Sequence, residues 1–471
     1  MQDICAVILA AGEGTRMRSR RAKVLHPLLG RPLLHYPVDL CLRLGVARVL
    51  VVVGSQVEEV KRVLADRPVE CVLQSEPWGT AHALLQTEEA LQGFAGTVLV
   101  LAGDTPLLRE ETVRQLIEVH RAAGTLATLL TTWVDHPAGY GRIVRDEQGN
   151  LHRIVEEVEA TEEERRVPEI NAGVYCFAGP ALFPALKQVK VSAVKGEFFL
   201  PQVVKIFVEQ GKPVHTVLTR DPTEVVGINT RTELALAATL LRRRVQERLM
   251  LQGVSLVDPQ ATYIDETVQI GPDTLIYPGV VLEGGTTIGA GCVIYPHCRI
   301  ANSQLGERVT VLDGSIILES EIGDGCVIGP YAHLRPQSRL KAKAKVGNFC
   351  EVKKAEIGEG SKVPHLAYIG DTVMGEKVNI GAGTITCNYD GFAKHETVIE
   401  DEVFVGSNTN LVAPVTVGKG AIIGAGSTIT EAVPPDAVAF GRAPQVNKEG
   451  RAAKTRKKRQ EMVPPKDAES D

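Results

Sequence analysis

From Ile264 onward an aliphatic side chain recurs at every sixth position, through Ile270, Ile276, Leu282, Ile288, Ile294 and Ile300. The beat returns at Ile322, Ile328, Leu334, Leu340, Val346 and Val352, and again from Ile399 through Val405, Leu411, Val417 and Ile423 to Ile429. Small residues such as Thr274, Cys292, Ser338 and Ala421 stand two places before the aliphatic, and glycines such as Gly271, Gly329 and Gly424 one place after it. A period of six fits neither an amphipathic helix nor a two-faced strand. It fits a parallel β-helix, in which three hexads complete one triangular coil and aliphatics fill a narrow axis. Coils of this kind stack through backbone ladders roughly 4.8 Å apart. Aromatics make up only 4% of the chain, as an axis with little room for rings requires.

At 471 residues the chain exceeds a single core, so at least two domains are expected. The net charge of -5 is spread along the sequence, and no basic domain points to nucleic acid. Nine cysteines are scattered without a C-x-x-C pair, several of them in small-residue slots of the hexads, which suits reduced core thiols. Met1-Gln2-Asp3 lacks a basic leader region, and the apolar run that follows is too short for a signal or a membrane span. These features predict a soluble, cytoplasmic protein with no membrane partner.

In the first half, the apolar runs Cys5–Ala10, Val49–Val53 and Val98–Ala102 alternate with helical patterns over Leu33–Leu44, Ala81–Leu91 and Thr112–Ala122. That alternation predicts a mostly parallel α/β sheet with ligands at the carboxyl ends of its strands. At the first such end lies Ala11-Gly-Glu-Gly-Thr-Arg-Met17, which lacks the third glycine of a dinucleotide fingerprint. Its glycines let backbone N–H groups converge on phosphate oxygens, and Arg16 and Lys23 add positive charge; a plain tight turn is the simpler reading. Asp104, just after the third strand, is a candidate Mg²⁺ ligand or else the cap of a helix after Pro106. Gly139–Ile143 and Glu169–Gly173 read as loops, and Glu162–Arg166 as a solvated charged turn. Leu234, Ala237, Leu241, Val245 and Leu249 form one helical stripe, capped by Thr230 or Thr232 and ended by Gly253. Beyond Arg442 the chain is polar, with a basic run at Lys454–Arg459, and reads as a flexible tail.

Departures from the beat mark candidate chemistry. Arg335 and Lys353 each follow a hexad aliphatic eighteen residues apart, so they share a corner of adjacent coils. Stacked cations repel, and a bound phosphate would offset the repulsion. The hexad from Val352 to Ile357 is one residue short, which places Tyr368 over Glu351 and His365 at a turn, where a solvated surface histidine or a general base are the two readings. Between Ile380 and Ile399 the beat is lost, and the segment with Asn388, Tyr389 and Lys394 is expected to emerge as a loop on a binding face.

Together, Leu9–Met17, Gln74 with Gly79-Thr-Ala81, Gly103-Asp104, Val346-Gly-Asn-Phe349, Lys353-Lys354, His365–Asp371 and Asn379–Gly391 resemble the bacterial bifunctional N-acetylglucosamine-1-phosphate uridyltransferase/glucosamine-1-phosphate N-acetyltransferases over nearly the whole chain. The resemblance implies a Rossmann-like nucleotidyltransferase domain (1–229), a connecting helix (230–252), a left-handed parallel β-helix (253–445) and a tail (446–471). It implies uridylyl transfer from UTP to N-acetylglucosamine 1-phosphate, with Mg²⁺ on Asp104 and Asn229, and Arg16 and Lys23 at the phosphates. Leu9, Ala10, Ala11 and Gly12 would lie along the substrate, Gln74, Gly79 and Thr80 at uracil, and Gly141, Glu156 and Asn171 at the sugar. In the β-helix it implies acetyl transfer from acetyl-CoA to glucosamine 1-phosphate. There His365 is the base, oriented by Glu351, and Arg335 and Lys353 hold the phosphate. Tyr368, Asn379, Asn388 and Tyr389 would hold the sugar, and Ala382, Ser407, Ala425 and Arg442 acetyl-CoA. The family also implies a homotrimer. Val363-Pro364 replaces the Ala-Gly, and Ala102 the tyrosine, that some members carry. Competing readings are a nucleotidyltransferase with a purely structural β-helix and a non-catalytic subunit of an exchange factor.

Overall fold

A computed structural model describes residues 3–463, so Met1, Gln2 and the last part of the expected tail, 464–471, lie outside the described residues. The chain forms two compact units. One runs to Leu251 and includes Tyr263–Thr267; the other takes Gln252–Thr262 and the chain from Val268 on.

The first unit is built on a sheet in which the apolar run Ile4–Ala10 is an interior strand. It pairs in parallel with Arg48–Val53 on one side and Thr97–Ala102 on the other. Both faces of this strand are covered. Ile4, Ala6 and Ile8 pack with Leu40, Leu44 and Leu116, while Cys5 and Val7 pack with Leu84, Leu182 and Val203. A strand buried on two sides has no polar face to alternate with, hence the continuous apolar run. The sheet is not wholly parallel, because Glu169–Ala178 runs antiparallel between Thr97–Ala102 and Ala127–Trp133. The expected loops at Gly139–Ile143 and Glu169–Gly173 are partly strand, Arg142–Arg145 and Glu169–Ala178. The second was masked in the sequence by a register shift between Asn171 and Tyr175, a β-bulge with Gly173 at φ +72°.

Other elements differ from expectation at their ends. The helix expected over Ala81–Leu91 is the short Thr80–Leu85, and the charged turn expected at Glu162–Arg166 is a single helical turn, Glu162–Arg165. Thr161 and Glu164 make a reciprocal capping box there, a local signal that the charge run concealed. The helix Arg231–Leu251 starts with a second such exchange: Glu233 N donates to Thr230 Oγ1 and Thr230 N to Glu233 Oε2. Within the expected flexible tail, Arg451–Glu461 is helical, with no buried residue.

The second unit is a parallel β-helix. Ile270 stacks on Ile288, Ile276 on Ile294 and Leu282 on Ile300, each eighteen residues on. The stacking continues where the beat falters, since Ile288 meets Leu305 and Ile300 meets Ile317 after seventeen residues. Steps of five residues, to Leu305, Ile322, Ile357 and Met374, shorten coils without breaking them.

The gap between Ile380 and Ile399 is smaller than the sequence suggested. Thr386 stands six residues after Ile380, is fully buried, and pairs with Leu411 of the next coil. The beat is therefore kept by a polar residue. Its hydroxyl accepts from Gly370 N at 2.8 Å and donates to Gly370 O at 3.1 Å. Only after Cys387 does the chain leave the coil, to return at Thr397. Asp390 knits that loop by accepting from Phe392 N, Ala393 N and His395 Nε2. The backbone bond from Ala393, then the His395 and Phe392 bonds, hold the Asp390 carboxyl well below the usual carboxylate range.

All nine cysteines are free. Among the described residues no helix is long and apolar enough to cross a membrane.

Thr386→Val would restore an aliphatic to the beat yet leave the buried Gly370 N–H without its acceptor. The expected result is a loss of about 1–3 kcal/mol of stability in denaturant titration of the β-helix; a gain would contradict this account.

Candidate active sites

In the first unit, the carboxyl ends of Ile4–Ala10 and Thr97–Ala102 open into a cavity of about 620 Å³. Leu9, Ala10, Ala11, Gly12, Arg16, Lys23, Gln74, Gly79, Thr80, Asp104, Gly141, Glu156, Asn171 and Asn229 all line it, so every residue expected at this site is brought together. Two glycines are required by geometry. Gly14 has φ +64°, and a Cβ there would stand 2.5 Å from Lys23 Cβ. Gly79 has φ +107°, and its Cβ would stand 2.6 Å from Phe198 O.

Asp104 does not cap the following helix, which starts at Glu110 after Arg109. Its carboxylate pairs with the Lys23 ammonium, which also donates to Asn229 Oδ1 at 3.1 Å. Asn229 is placed by the helix that follows, because Glu233 Oε2 accepts its backbone N–H at 2.7 Å. One carboxylate and one amide oxygen thus already converge on a cation. Such hard oxygen donors suit a divalent ion whose remaining positions are filled by phosphate and water. Arg16 is exposed and has no hydrogen-bond or ion-pair partner among the described residues, leaving its guanidinium available to an anionic ligand. On the far wall, burial raises the Glu156 carboxyl above its ordinary range. Glu159 and Glu197 push the same way, while Lys195 and Arg142 oppose them. Asn171, at the bulge, donates from Nδ2 to Tyr175 Oη at 2.6 Å and accepts from Gly173 N at 3.2 Å.

In the β-helix, Leu334 stacks on Val352 and Val352 on Ile369. Arg335 and Lys353 therefore share a corner, as the spacing predicts, and Tyr368 pairs with Glu351. The repulsion between the cations is partly met inside the chain, since Arg335 Nη1 lies 2.9 Å from Glu351 Oε1. The corner still holds excess positive charge. Lys353 lies against Lys394 and lowers its pKa, first by hydrogen bonding and then by charge. Beside them, Asn388 Nδ2 donates to Asp371 Oδ2 at 2.6 Å and to Tyr368 Oη at 3.3 Å.

His365 is exposed on the corner at the other end of the same face. Glu351 does not orient it, being engaged with Arg335. Its Nδ1 lies instead 2.5 Å from Asn348 Oδ1. An amide oxygen only accepts, so the neutral ring carries its proton on Nδ1 and Nε2 is free to take another. Asn348 stands two places after the hexad residue Val346, just as His365 stands two after Val363, and that offset was the available signal. The same offset continues at Ala382 after Ile380, Ser407 after Val405 and Ala425 after Ile423. Gly383 N donates to His365 O, Asn408 N to Ala382 O and Gly426 N to Ser407 O. Asn348, His365, Ala382, Ser407 and Ala425 thus form one column, a coil apart at each step. Asn379, Tyr389 and Arg442 are not drawn into either set: Tyr389 Oη donates to Gly391 O, and Arg442 stacks on Phe440.

The chain matches the nucleotidyl transferase family over residues 5–223, the GMPPB C-terminal domain over 252–342 and the six-repeat bacterial transferase hexapeptide family over 396–431. Over 452 residues it is 47% identical to the bifunctional protein GlmU of Trichlorobacter lovleyi, covering 96% of this chain and 98% of that one. It is 48% identical over 444 residues to that of a Geobacillus species, covering 94% and 96%, and 49% identical over 447 residues to that of Listeria monocytogenes, covering 95% and 97%.

Because the Lys23 ammonium sits between Asp104 and Asn229, it competes with any metal ion for the same oxygens. Mn²⁺ titration of the free protein by calorimetry is expected to show binding several-fold tighter in Lys23→Ala and weaker in Asp104→Ala. Equal affinities in all three proteins would place the ion elsewhere.

Proposed function

This chain belongs to the bifunctional GlmU family, and from that premise we propose the two reactions its units carry out and the residues that perform them. The β-helix transfers the acetyl group of acetyl-CoA to the amine of glucosamine 1-phosphate. The first unit then transfers a uridylyl group from UTP to the resulting N-acetylglucosamine 1-phosphate. The products are UDP-N-acetylglucosamine, a precursor of bacterial cell-wall polymers, and pyrophosphate.

In the first unit the nucleophile is a phosphate, already an anion, so the chain supplies no general base. Its task is to hold two anions in line and to offset their charge. Arg16 and Lys23 meet the phosphates, and Gly141, Glu156 and Asn171 the sugar. Gln74, Gly79 and Thr80 meet uracil, with Leu9, Ala10, Ala11 and Gly12 along the nucleotide. Asp104 and Asn229 would hold Mg²⁺, which when bound supplies further neutralisation of phosphate charge.

In the β-helix only the neutral amine attacks, and His365 Nε2 accepts its proton. Asn348 keeps the ring in the tautomer that can do so. Arg335, Lys353 and Lys394 meet the sugar phosphate, and Tyr368, Asn379, Asn388 and Tyr389 the sugar. Ala382, Ser407 and Ala425 present small side chains along which acetyl-CoA can lie, with Arg442 at its phosphates. The assembly in this reading is a homotrimer, in which a neighbouring copy brings Asn379, Tyr389 or Arg442 to the His365 set, and the protein works in the cytoplasm. The observation that carries the two-reaction reading over a structural β-helix is the Asn348–His365 pair at the head of a column of small residues. A scaffold has no use for a histidine with an acceptor fixed on Nδ1 and a free Nε2.

The test is an assay with glucosamine 1-phosphate, acetyl-CoA, UTP and Mg²⁺, following free thiol and pyrophosphate separately. His365→Ala is expected to slow thiol release by about 10²–10⁴-fold while pyrophosphate release from supplied N-acetylglucosamine 1-phosphate stays unchanged. Asn348→Ala should lower kcat for acetylation by roughly 10–100-fold with little change in KM. Absence of thiol release from the unaltered protein would reduce the β-helix to a scaffold.

A further inference from the structure

Gln74 is 5% exposed and lines the cavity of the first unit. Its Nε2 lies 3.3 Å from Gly79 O and 2.9 Å from His82 Nδ1. A backbone carbonyl can only accept, so the nitrogen of this amide, not its oxygen, must face Gly79. The second hydrogen of that nitrogen then points to His82 Nδ1, which has to be bare. In a neutral imidazole the proton consequently sits on Nε2. That side of the ring meets Gln86, whose Nε2 lies 3.1 Å from His82 Nε2 and 3.1 Å from His82 O. Two N–H donors cannot satisfy each other, and of the two amides it is the half-buried Gln86 that can swing off the ring into solvent, while Gln74, enclosed beside Gly79 O, has no such freedom. His82 O keeps the backbone N–H of Gln86 at 3.3 Å. The Trp78 ring packs on the imidazole, with centroids 5.0 Å apart.

This arrangement leaves Gln74 Oε1 without a hydrogen-bond partner among the described residues, on a side chain that lines the cavity. We propose that His82 is a specificity-determining positioning residue: by accepting from Gln74 Nε2, it fixes Gln74 Oε1 as a hydrogen-bond acceptor that selects a pyrimidine bearing N–H at N3. Uracil has that N–H, whereas cytosine presents a lone pair at the same position. An unrestrained glutamine amide turns over at little cost and serves either base. Turning this one would break the bonds to Gly79 and His82 and set its oxygen against Gly79 O. The inference rests on the uridylyl reading of this cavity and adds a residue that does not itself touch the nucleotide.

The experiment compares kcat/KM for UTP and CTP in the full-length protein, with N-acetylglucosamine 1-phosphate and Mg²⁺. The UTP/CTP ratio is internal to one preparation, so a partly folded sample cancels out of it. His82→Phe keeps a ring against Trp78 but cannot accept, and is expected to lower the ratio by about ten-fold or more. His82→Ala, which asks the site to hold nothing larger, gives a second reading of the same ratio. Gln74→Leu should lower the ratio as well, and adding His82→Phe to it should lower it no further. The inference is overturned if both His82 variants keep the wild-type ratio while Gln74→Leu loses it, or if Gln74→Leu keeps it too. A wild-type protein that does not prefer UTP overturns the uridylyl reading itself, and the inference with it.

Discussion

Backbone hydrogen bonds between successive coils hold the side-chain geometry of the β-helix in place. Arg335 N donates to Val352 O at 2.8 Å, Gly381 N to Val405 O at 2.7 Å and Gly406 N to Ile423 O at 2.9 Å. Each such bond fixes not only that two coils touch but which residue lies over which. A side chain's neighbours along the axis are then decided by count alone. The cation corner and the column headed by Asn348 and His365 are both products of this register. Only Lys394 reaches that corner from a loop. Close packing enforces the register as well: a Cβ on Gly347 would stand 1.8 Å from Pro364 O, directly beside His365.

The hexad beat made the architecture of the second unit legible because its aliphatics face a single axis, and a one-residue slip would turn them outward. Where the beat failed to show, the cause was local. The five-residue steps to Leu305 and Ile322 keep the axis filled but break the count, and Thr386 fills an aliphatic slot with a hydroxyl whose value lies in two bonds to Gly370. The cation pair at Arg335 and Lys353 could be counted directly. The partner of His365 was missed because Glu351 carries a charge that draws the eye, while Asn348 is tied to His365 only by the coil offset. Side-chain identity suggests chemistry, but only register says who meets whom.

In the first unit, strand ends announced Lys23 and Asp104, and the apolar run at Cys5–Ala10 announced an interior strand of the sheet. Gln74, Glu156 and Asn171 carried no signal in the residues alone. They come from separate segments that meet only when the sheet is assembled, and Asn171 owes its place to a bulge that no local pattern reports. The supporting residues were the least visible. Glu233 serves both the start of the helix Arg231–Leu251 and the backbone of Asn229, so one carboxylate links a structural cap to the oxygen pair beside Lys23. The basic run at Lys454–Arg459 was read as unstructured because it has no apolar face; its helix buries nothing.

The column that runs from Asn348 through His365 to Ala425 behaves as a ruler with coarse markings. Distance along it changes only in whole coils, each roughly 4.8 Å tall. A full coil of seventeen or eighteen residues inserted between His365 and Ala382 would shift Ala382, Ser407 and Ala425 by one marking relative to the histidine and leave every rung intact. A single residue gained or lost within a coil is instead taken up at a corner, as the stacking of seventeen- and eighteen-residue coils already requires. Variation in a chain of this kind therefore comes in two sizes: whole coils reset the separation along the column, while smaller changes in length are taken up at the corners and leave that separation as it was.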